Sequence, residues 1–273
     1  MQLTAETSKF YGVRCAAWQQ AGLKLSESTY PAHLRMPSHS HEHSYLGIVL
    51  SGGYTERVGR TNRERKTLTT VFHPQGEFHS VAFHTSRVRI FRIEIAGEWR
   101  KRVGQYMKLP DESAESDGGP LASLGLRLHN EFRSRDSWSG LAIEGLALEM
   151  MAELARSSGN KADGAAPAWL DGVRQRLASR IEETPPLAEL AAGAGVHPVH
   201  LAREFRKHFR CTIGDFIRRV RVEFACREIA ETDAPLSEVA LAAGFYDQSH
   251  FSNIFRRFTG TTPAAYRAIC RAG

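Results

Sequence analysis

The 273-residue chain has few cysteines and no long apolar run. Its four cysteines, Cys15, Cys211, Cys226 and Cys270, are far apart and form no C-x-x-C pair, which argues against a disulfide scaffold or a zinc finger. No apolar stretch approaches the roughly 18 residues of a membrane span, and the N-terminus has no apolar signal core. Eleven prolines and 23 glycines are too few for a fibrous or wholly disordered protein. We therefore expect a globular, cytoplasmic protein with no membrane partner.

The net charge of the chain excludes few classes of protein. The 36 Lys and Arg residues exceed the 30 Asp and Glu residues, which gives a formal net charge of +6. This mildly basic balance is compatible with nucleic acid, and many enzymes have it too. At roughly 150 residues per domain, the length suggests two domains.

The first hundred residues have the pattern of short strands. Residues 45–50 are rich in β-formers and end at a Ser-Gly-Gly turn, and residues 88–95 alternate apolar and polar side chains. The pattern predicts a β-sandwich or barrel.

From about residue 121 the apolar period becomes helical. Apolar side chains recur every fourth position, at Leu124, Leu128, Phe132, Ile143, Ala147, Met151, Leu146, Met150 and Leu154. Two interpretations of the second helix stay open: its apolar faces pack on the barrel, or one of them is a subunit interface. Residues 157–167 are small, polar or helix-breaking and predict a linker.

The last hundred residues contain an internal repeat with a spacing of about 50. The copies span residues 186–206 and 235–256, and each predicts a short helix, a turn at Gly195 or Gly244, and a second helix. Glycine supplies the positive φ that such a turn commonly needs. Two matched copies indicate a pair of helix-turn-helix units.

The second helix of each unit has one buried face, set by apolar residues four positions apart. Outward positions are then Val199, His200, Ala202, Arg203, Arg206, Gln248, Ser249, His250, Ser252 and Asn253. Their donors suit base edges in a major groove. Basic residues that follow these helices or lie beyond them predict phosphate contacts, at Arg206, Lys207, Arg218, Arg219, Arg256 and Arg257.

The second copy carries a family signature, with matching residues Val239, Gly244, Phe245, Asp247, Gln248, Ser249, Phe251, Phe255, Arg256, Thr262, Pro263, Tyr266 and Arg267. Residues 170–270 resemble the DNA-binding domain of the AraC/XylS family of bacterial transcription regulators. The resemblance implies two helix-turn-helix units that enter successive major grooves, joined by a long helix at about residues 213–231. Such a helix spans roughly 28 Å, compatible with the roughly 34 Å turn of DNA.

Three residues depart from the family pattern. His197 stands where Ser usually caps the first recognition helix, Arg210 where Gly usually ends it, and Asn253 where Arg is more common. We expect the first two changes to weaken the helix ends by about 1 kcal/mol each.

A histidine-rich segment near residue 40 predicts a second site. His39 and His41 share one face of a strand, and His79 on a neighbouring strand completes three nitrogens suited to Zn, Fe, Ni or Cu. The H-x-H and P-x-G-x-x-H motifs resemble those of the cupin barrel, a sensor domain of many AraC-type regulators. Tyr45 stands where metal cupins have a Glu ligand. Two interpretations stay open: one divalent transition metal, or histidines that only hydrogen-bond. His33, His73 and His84 have no ligand spacing and are interpreted as ordinary structural histidines.

The sequence thus predicts a multidomain α+β protein. Residues 1–156 form a cupin-like effector-binding and dimerisation domain, 157–167 the linker, and 168–273 an all-α DNA-binding domain. We expect a homodimeric transcription regulator whose barrel senses a small-molecule effector or a metal, with double-stranded promoter DNA and RNA polymerase as partners. The alternative is a metal-dependent cupin enzyme fused to a DNA-binding domain. Tyr45 counts against it, and no nucleophilic triad, phosphate-binding Gly loop or paired carboxylate site is recognisable.

Overall fold

The computed structural model describes residues 13–20, 22–84, 87–159, 166–182 and 184–271. The N-terminal domain contains two antiparallel sheets, one with the order β1-β2-β9-β4-β7-β10 and one with the order β3-β8-β5-β6. The strands are β1 (Val13–Gln20), β2 (Leu23–Tyr30), β3 (Arg35–His39), β4 (Ser44–Ser51), β5 (Gly53–Val58), β6 (Thr61–Lys66), β7 (Thr69–His73), β8 (His79–Phe83), β9 (Val88–Ile95) and β10 (Ala114–Asp117). The strands predicted at residues 45–50 and 88–95 are confirmed as β4 and β9.

The two sheets pack face to face. Strand β4 lies between β9 and β7 and is buried along its whole length, because both of its faces are covered. On the inner face, Val49 packs with side chains of the opposite sheet, and Tyr30 stacks on Phe83 with ring centroids 4.5 Å apart. On the outer face, Leu46 and Ile48 belong to the apolar core that the helices cover.

Three helices complete this domain: α1 (Gly97–Gly104), α2 (Gly119–Ser134) and α3 (Ser139–Gly159). All nine apolar positions predicted to recur at helical spacing are buried, which confirms the two long helices. Helices α2 and α3 pack against each other over the six-stranded sheet. This packing inside the chain favours the first interpretation of α3, and dimerisation stays a prediction.

The C-terminal domain is entirely helical in its described residues. Its helices are α4 (Ala168–Ser179), α5 (Leu187–Gly193), α6 (Pro198–Phe209), α7 (Ile213–Glu231), α8 (Leu236–Ala242), α9 (Gln248–Thr259) and α10 (Pro263–Arg271). The predicted joining helix is confirmed as α7 at residues 213–231. Helix α3 extends to Gly159, into the predicted linker 157–167, and residues 160–165 lie outside the described part of the chain. Within the described segments, no helix combines the length and apolarity needed to cross a membrane.

The two helix-turn-helix units have different cores. The first unit has its own, which includes Leu170, Leu201 and Phe205. The second unit shares the core of the N-terminal domain, where Phe255 and Tyr266 belong to the same apolar cluster as the outer face of the sheet. The linker therefore separates the domains along the chain, while packing continues between them.

Polar contacts reinforce this joint core. The Tyr266 hydroxyl donates to the Leu50 carbonyl at 3.3 Å, and Ser123 Oγ on α2 donates to the Phe258 carbonyl on α9 at 2.6 Å. The Gly119 N–H at the start of α2 donates to Glu223 on α7 at 2.6 Å. The second unit is thus bound to the N-terminal domain through both α7 and α9.

Candidate functional site

The recognition helices α6 and α9 each bury one face and expose the other. Leu201 and Phe205 are fully buried on α6, as are Phe251 and Phe255 on α9. The predicted outward positions are exposed, apart from Ser252, which is half-exposed. The structure therefore presents the predicted base-reading side chains together, and their contact with DNA stays a prediction.

Both recognition helices begin with a side-chain cap. Asp247 Oδ1 accepts from the His250 N–H at 2.7 Å, and His197 Nδ1 accepts from the Val199 N–H at 3.3 Å. His197 therefore caps α6 in place of Ser, through a longer contact, and the expectation of a weakened start is corrected to that extent.

The helix ends differ in chemistry and share a conformation. Arg210 after α6 has a φ of 56°, and Gly260 after α9 has a φ of 78°. Both are left-handed, so Arg210 takes a conformation that favours glycine.

The turns inside the units behave as predicted. Gly195 and Gly244 have φ values of 67° and 77°. Arg221 on α7 donates to the Ile181 carbonyl at 2.7 Å and to Thr184 Oγ1 at 2.9 Å. This arginine connects the long helix to the loop between α4 and α5, which fixes the first unit relative to α7.

The predicted cationic contacts divide into two groups. Arg203 is 72% exposed and lies beside Glu204 and His200, so its guanidinium is available to a ligand. Arg219 is only 15% exposed and lies 3.6 Å from Glu223, facing the N-terminal domain. The predicted phosphate contact at Arg219 is therefore wrong, because that face of α7 is covered.

Tyr246 was not predicted and stands out by exposure. It precedes the cap of α9 and is 97% exposed. An exposed hydroxyl beside a recognition helix suits a phosphate contact. The only sequence signal was an aromatic residue directly before the capping Asp247.

The histidines predicted from sequence come together in a chamber between the sheets. One ring nitrogen of each of His39, His41 and His79 lies within 4.8 Å of one on the others. His39 Nδ1 donates to the Pro37 carbonyl at 2.8 Å, which leaves the lone pair on Nε2. Among the described residues, His39 Nε2, His41 Nε2 and His79 Nδ1 are buried without a hydrogen-bond partner.

Two further side chains enter this chamber and were missed. Glu56 on β5 is 2% exposed; its Oε1 lies 3.1 Å from His73 Nε2 and 4.0 Å from His79 Nε2, and its Oε2 lies 3.0 Å from Arg65. His73 Nδ1 lies 2.7 Å from Glu77. Because both nitrogens of His73 face carboxylates, they donate, and no lone pair remains for a metal. His73 therefore has a structural part in the chamber, as the hydrogen-bond partner of Glu56 and Glu77.

Burial and neighbouring charges set the protonation of the chamber. Burial opposes ionisation of Glu56, yet the hydrogen bond from His73 and the nearby cations lower its pKa to about 2. Burial would lower the pKa of His73, but its bonds to Glu56 and Glu77 raise it. Burial, together with the charge of His73, lowers the pKa of His79 to about 3. The lowered pKa of Glu56 and the raised pKa of His73 both favour an ionised Glu56–His73 pair, and the lowered pKa of His79 keeps that imidazole neutral at pH 7.

The chamber is small. Its cavity measures about 20 Å³, and its lining includes Tyr45, Glu56, Arg92, His39, His73 and His79. His41 adjoins His39 and His79 without lining this cavity. Tyr45 Oη lies 3.5 Å from His79 Nε2, so a phenol occupies the region where metal cupins place a carboxylate. About one water-sized particle fits such a space.

Comparison with known proteins finds matches to the C-terminal domain. A family model described as a helix-turn-helix domain matches residues 190–269. Over 101 residues the chain is 36% identical to the HTH-type transcriptional regulator GlxA of Rhizobium meliloti, covering 37% of this chain and 31% of GlxA. It is 32% identical over 100 residues to the regulatory protein SoxS of Escherichia coli K12, covering 37% of this chain and 87% of SoxS.

A solved structure adds a DNA complex. The DNA-binding domain of AdpA, a global transcriptional factor bound to a target DNA, is 31% identical with a TM-score of 0.36, covering 38% of this chain and 93% of that domain. The domain that contains α6 and α9 matches 87% of SoxS at 32% identity. The chain therefore belongs to the AraC family of DNA-binding transcription regulators.

Proposed function

We propose that this protein regulates transcription in response to a divalent transition metal held by His39, His41 and His79. The observation that carries the proposal is that each of the three histidines has a ring nitrogen within 4.8 Å of one on each of the other two. Each also has a buried ring nitrogen with no hydrogen-bond partner among the described residues. Buried imidazoles with unpartnered nitrogens are costly, and three clustered imidazoles are a ligand set that a transition metal would bind. When bound, the ion supplies a positive charge and links β3 to β8.

The size of the chamber supports a metal over an organic effector at this position. Small-molecule pockets usually measure about 300–1,000 Å³. The chamber of about 20 Å³ is far smaller and suits an ion or one water. With three protein nitrogens and no carboxylate ligand, the site would keep an open position, as sensor and catalytic metal sites do.

DNA binding supplies the output of the proposed function. The outward side chains of α6 and α9 would read base edges, and Lys207, Arg256 and Arg257 would contact phosphates. We infer that the regulator acts in the cytoplasm on double-stranded promoter DNA, as a homodimer and together with RNA polymerase. A dimer gains affinity because the second half-site binds intramolecularly.

We infer a regulatory role and no enzymatic one. Glu56, the carboxylate nearest the histidines, is held by Arg65 and by His73 and is not free to act as a base. The alternative, a metal-dependent cupin enzyme fused to a DNA-binding domain, has no specific observation in its favour.

Metal analysis tests the sensor. Untagged protein purified without chelator should carry about one transition-metal ion per chain by elemental analysis. His41→Ala should remove most of it. His43→Ala is the matched control, because His43 follows on the same segment and lies outside the cluster, and it should retain the metal. Absence of metal in the wild type, or equal loss in both variants, would refute the metal site and leave histidines that only hydrogen-bond.

DNA binding is tested separately. Sequences enriched by in vitro selection on the full chain should bind with a steep salt dependence, and removal of the metal should change their affinity. If no sequence is enriched, the regulatory function fails. If selected DNA binds equally with and without metal, the sensor role fails while DNA binding stands.

A further inference from the structure

A cleft lies where the N-terminal domain meets the first helix-turn-helix unit and α7. It measures about 570 Å³, within the range of small-molecule pockets. The N-terminal domain contributes β10, α2 and α3 to its walls, and the C-terminal domain contributes α4, α6 and α7. It is separate from the histidine chamber, with no lining residue in common.

The cleft has an excess of positive charge. Six Lys and Arg side chains line it, against three Asp and Glu side chains. Each lining carboxylate already has a cationic neighbour, in the pairs Lys66–Asp117, Arg156–Glu153 and Arg219–Glu223. Arg210 and Arg227 form no salt bridge within the described segments. Arg210 therefore lines the cleft without a paired anion, whereas Arg227 forms no close ion pair but lies near enough to Asp117 and Glu223 to favour their ionised forms.

The backbone at Arg210 is in a conformation that favours glycine. Its φ of 56° is left-handed, as is that of Arg135 after α2, and this region is strained for a residue with a side chain. The equivalent position of the second unit is Gly260, which takes the same conformation without that strain. There, α2 packs against the turn, with Arg127 3.4 Å from where a Cβ would lie. In the first unit the same position borders the cleft, so Arg210 places a positive charge at a position where the second unit has an uncharged glycine. Strain of this kind collects at functional sites.

We propose that this cleft binds a small organic oxyanion, a carboxylate or a phosphate, with Arg210 and Arg227 as its ligands. Guanidinium groups pair with both anions through parallel hydrogen bonds. Phe209, Phe216 and Val220 also line the cleft and offer an apolar surface for the body of the molecule.

The position of the cleft gives the anion a regulatory consequence. A molecule held there contacts the N-terminal domain, through α3 and β10, and the first unit, through the end of α6. It would stabilise one placement of the first recognition helix relative to the second, which is bound to the N-terminal domain through the shared core. This consequence rests on the proposed regulatory function, whereas binding of the anion does not.

Binding is tested on the full-length protein without DNA. Citrate and inorganic pyrophosphate are titrated by calorimetry and by thermal melting at constant ionic strength. We expect one saturable site per chain, with the melting temperature raised by about 5–10 °C at 100 times the Kd. Saturation by citrate alone identifies a carboxylate ligand, and saturation by pyrophosphate alone a phosphate. No saturable binding of either probe at millimolar concentration overturns the proposal.

Variants separate a ligand role from a fold role. Arg210→Gly removes the cation and relieves the left-handed strain, so it should weaken anion binding at least tenfold while the melting temperature without anion stays unchanged or rises. Arg227→Gln should weaken binding similarly. Arg60→Gln is the matched control, because Arg60 is an exposed arginine outside the cleft. Equal weakening in Arg60→Gln would show nonspecific attraction, and a lower melting temperature in Arg210→Gly would show a fold role; either overturns the proposal.

A last comparison excludes a DNA contact. If Arg210→Gly retains anion binding but weakens all DNA sequences equally, its guanidinium contacts DNA phosphate and the proposal fails. If anion binding is lost and selected DNA no longer responds to the anion, both the site and its regulatory consequence are supported. If the arginine variants lose anion binding and the full-length wild type binds no DNA sequence, the anion site is supported and only the proposed regulatory function is refuted.

Discussion

Replacing Glu27 by Gln should destabilise the protein strongly, because this carboxylate holds a buried ionic cluster together. Glu27 on β2 is fully buried and forms a salt bridge with Arg89 on β9. His129 on α2 donates from Nε2 to Glu27 Oε2 at 2.8 Å. The cluster thus connects two strands of the six-stranded sheet to α2, the helix that packs on the second helix-turn-helix unit.

The magnitude follows from the protonation of Glu27. Burial alone would raise its pKa, but the hydrogen bond from His129 and the charge of Arg89 lower it from 4.5 to about 2. At about 1.4 kcal/mol per tenfold change, the ionised carboxylate contributes about 3 kcal/mol at pH 7. Glu27→Gln also leaves Arg89 buried without its counterion. We therefore expect a loss of about 3 to 5 kcal/mol in the free energy of unfolding.

The pH dependence has a definite sign. Because the pKa of Glu27 is lower in the folded state, its contribution is present above about pH 5 and is lost as the pH falls towards 2. Urea unfolding at pH 7 and pH 4 should show that the wild type loses about 1 kcal/mol more than Glu27→Gln over this interval.

Two variants control this measurement. Glu27→Gln combined with Arg89→Met removes both charges and should recover much of the lost stability. Glu98→Gln removes an exposed salt-bridge carboxylate and should leave the unfolding midpoint unchanged. A loss below about 1 kcal/mol for Glu27→Gln, or the same pH dependence with and without the carboxylate, would refute the reasoning.

Three further predictions, with five substitutions, test the DNA-binding domain. Arg203→Ala should reduce the binding free energy on selected DNA by about 1 to 3 kcal/mol and relax the preference at one base pair. Arg256→Ala should weaken binding to all DNA sequences and lower the salt slope by about one ion. Titrations on selected and scrambled DNA test both, and equal losses on the two DNAs for Arg203→Ala would contradict base reading. Phe255→Ala empties a fully buried position and should lower the free energy of unfolding by about 3 to 5 kcal/mol; a midpoint near the wild type's would contradict the shared core. Gly244→Ala should destabilise more than Gly195→Ala in thermal melts, because only at Gly244 would a Cβ meet a backbone oxygen, at 2.7 Å; equal melting temperatures would contradict that clash.

Local patterns predicted the elements and the histidine triad, because these depend on residues close in sequence. The joining helix at residues 213–231, where α7 lies, was implied by the resemblance to the AraC/XylS family. His39 ends β3, which pairs with β8 so that His39 lies opposite His79. His41 lies two residues beyond the end of β3, so the predicted shared strand face holds for His39 only. The predicted triad rested on a two-residue alternation and one strand pairing.

Long-range pairing explains what the sequence did not reveal. Glu56 reaches the chamber because β5 pairs with β8, and His73 because β7 pairs with β4; neither follows from a motif. Arg219 was misassigned because its burial depends on the N-terminal domain packing against α7. Both errors come from contacts between residues far apart in sequence, which periodicity does not encode.

The shared core of the second helix-turn-helix unit limits how this protein can be recombined. Exchange of C-terminal domains between related regulators is usually planned at the linker, where few backbone contacts cross. A chimera of this protein joined at residue 167 would keep the linker intact. Phe255 and Tyr266 from one parent would then have to pack against the six-stranded sheet of the other parent. The donor's α2 would have to come with its α7 to α10 to keep the Ser123–Phe258 and Gly119–Glu223 contacts. The core of the first unit includes Phe216 and Ile217 of α7, so an exchange of this unit to retarget one half-site would have to preserve its packing against that helix.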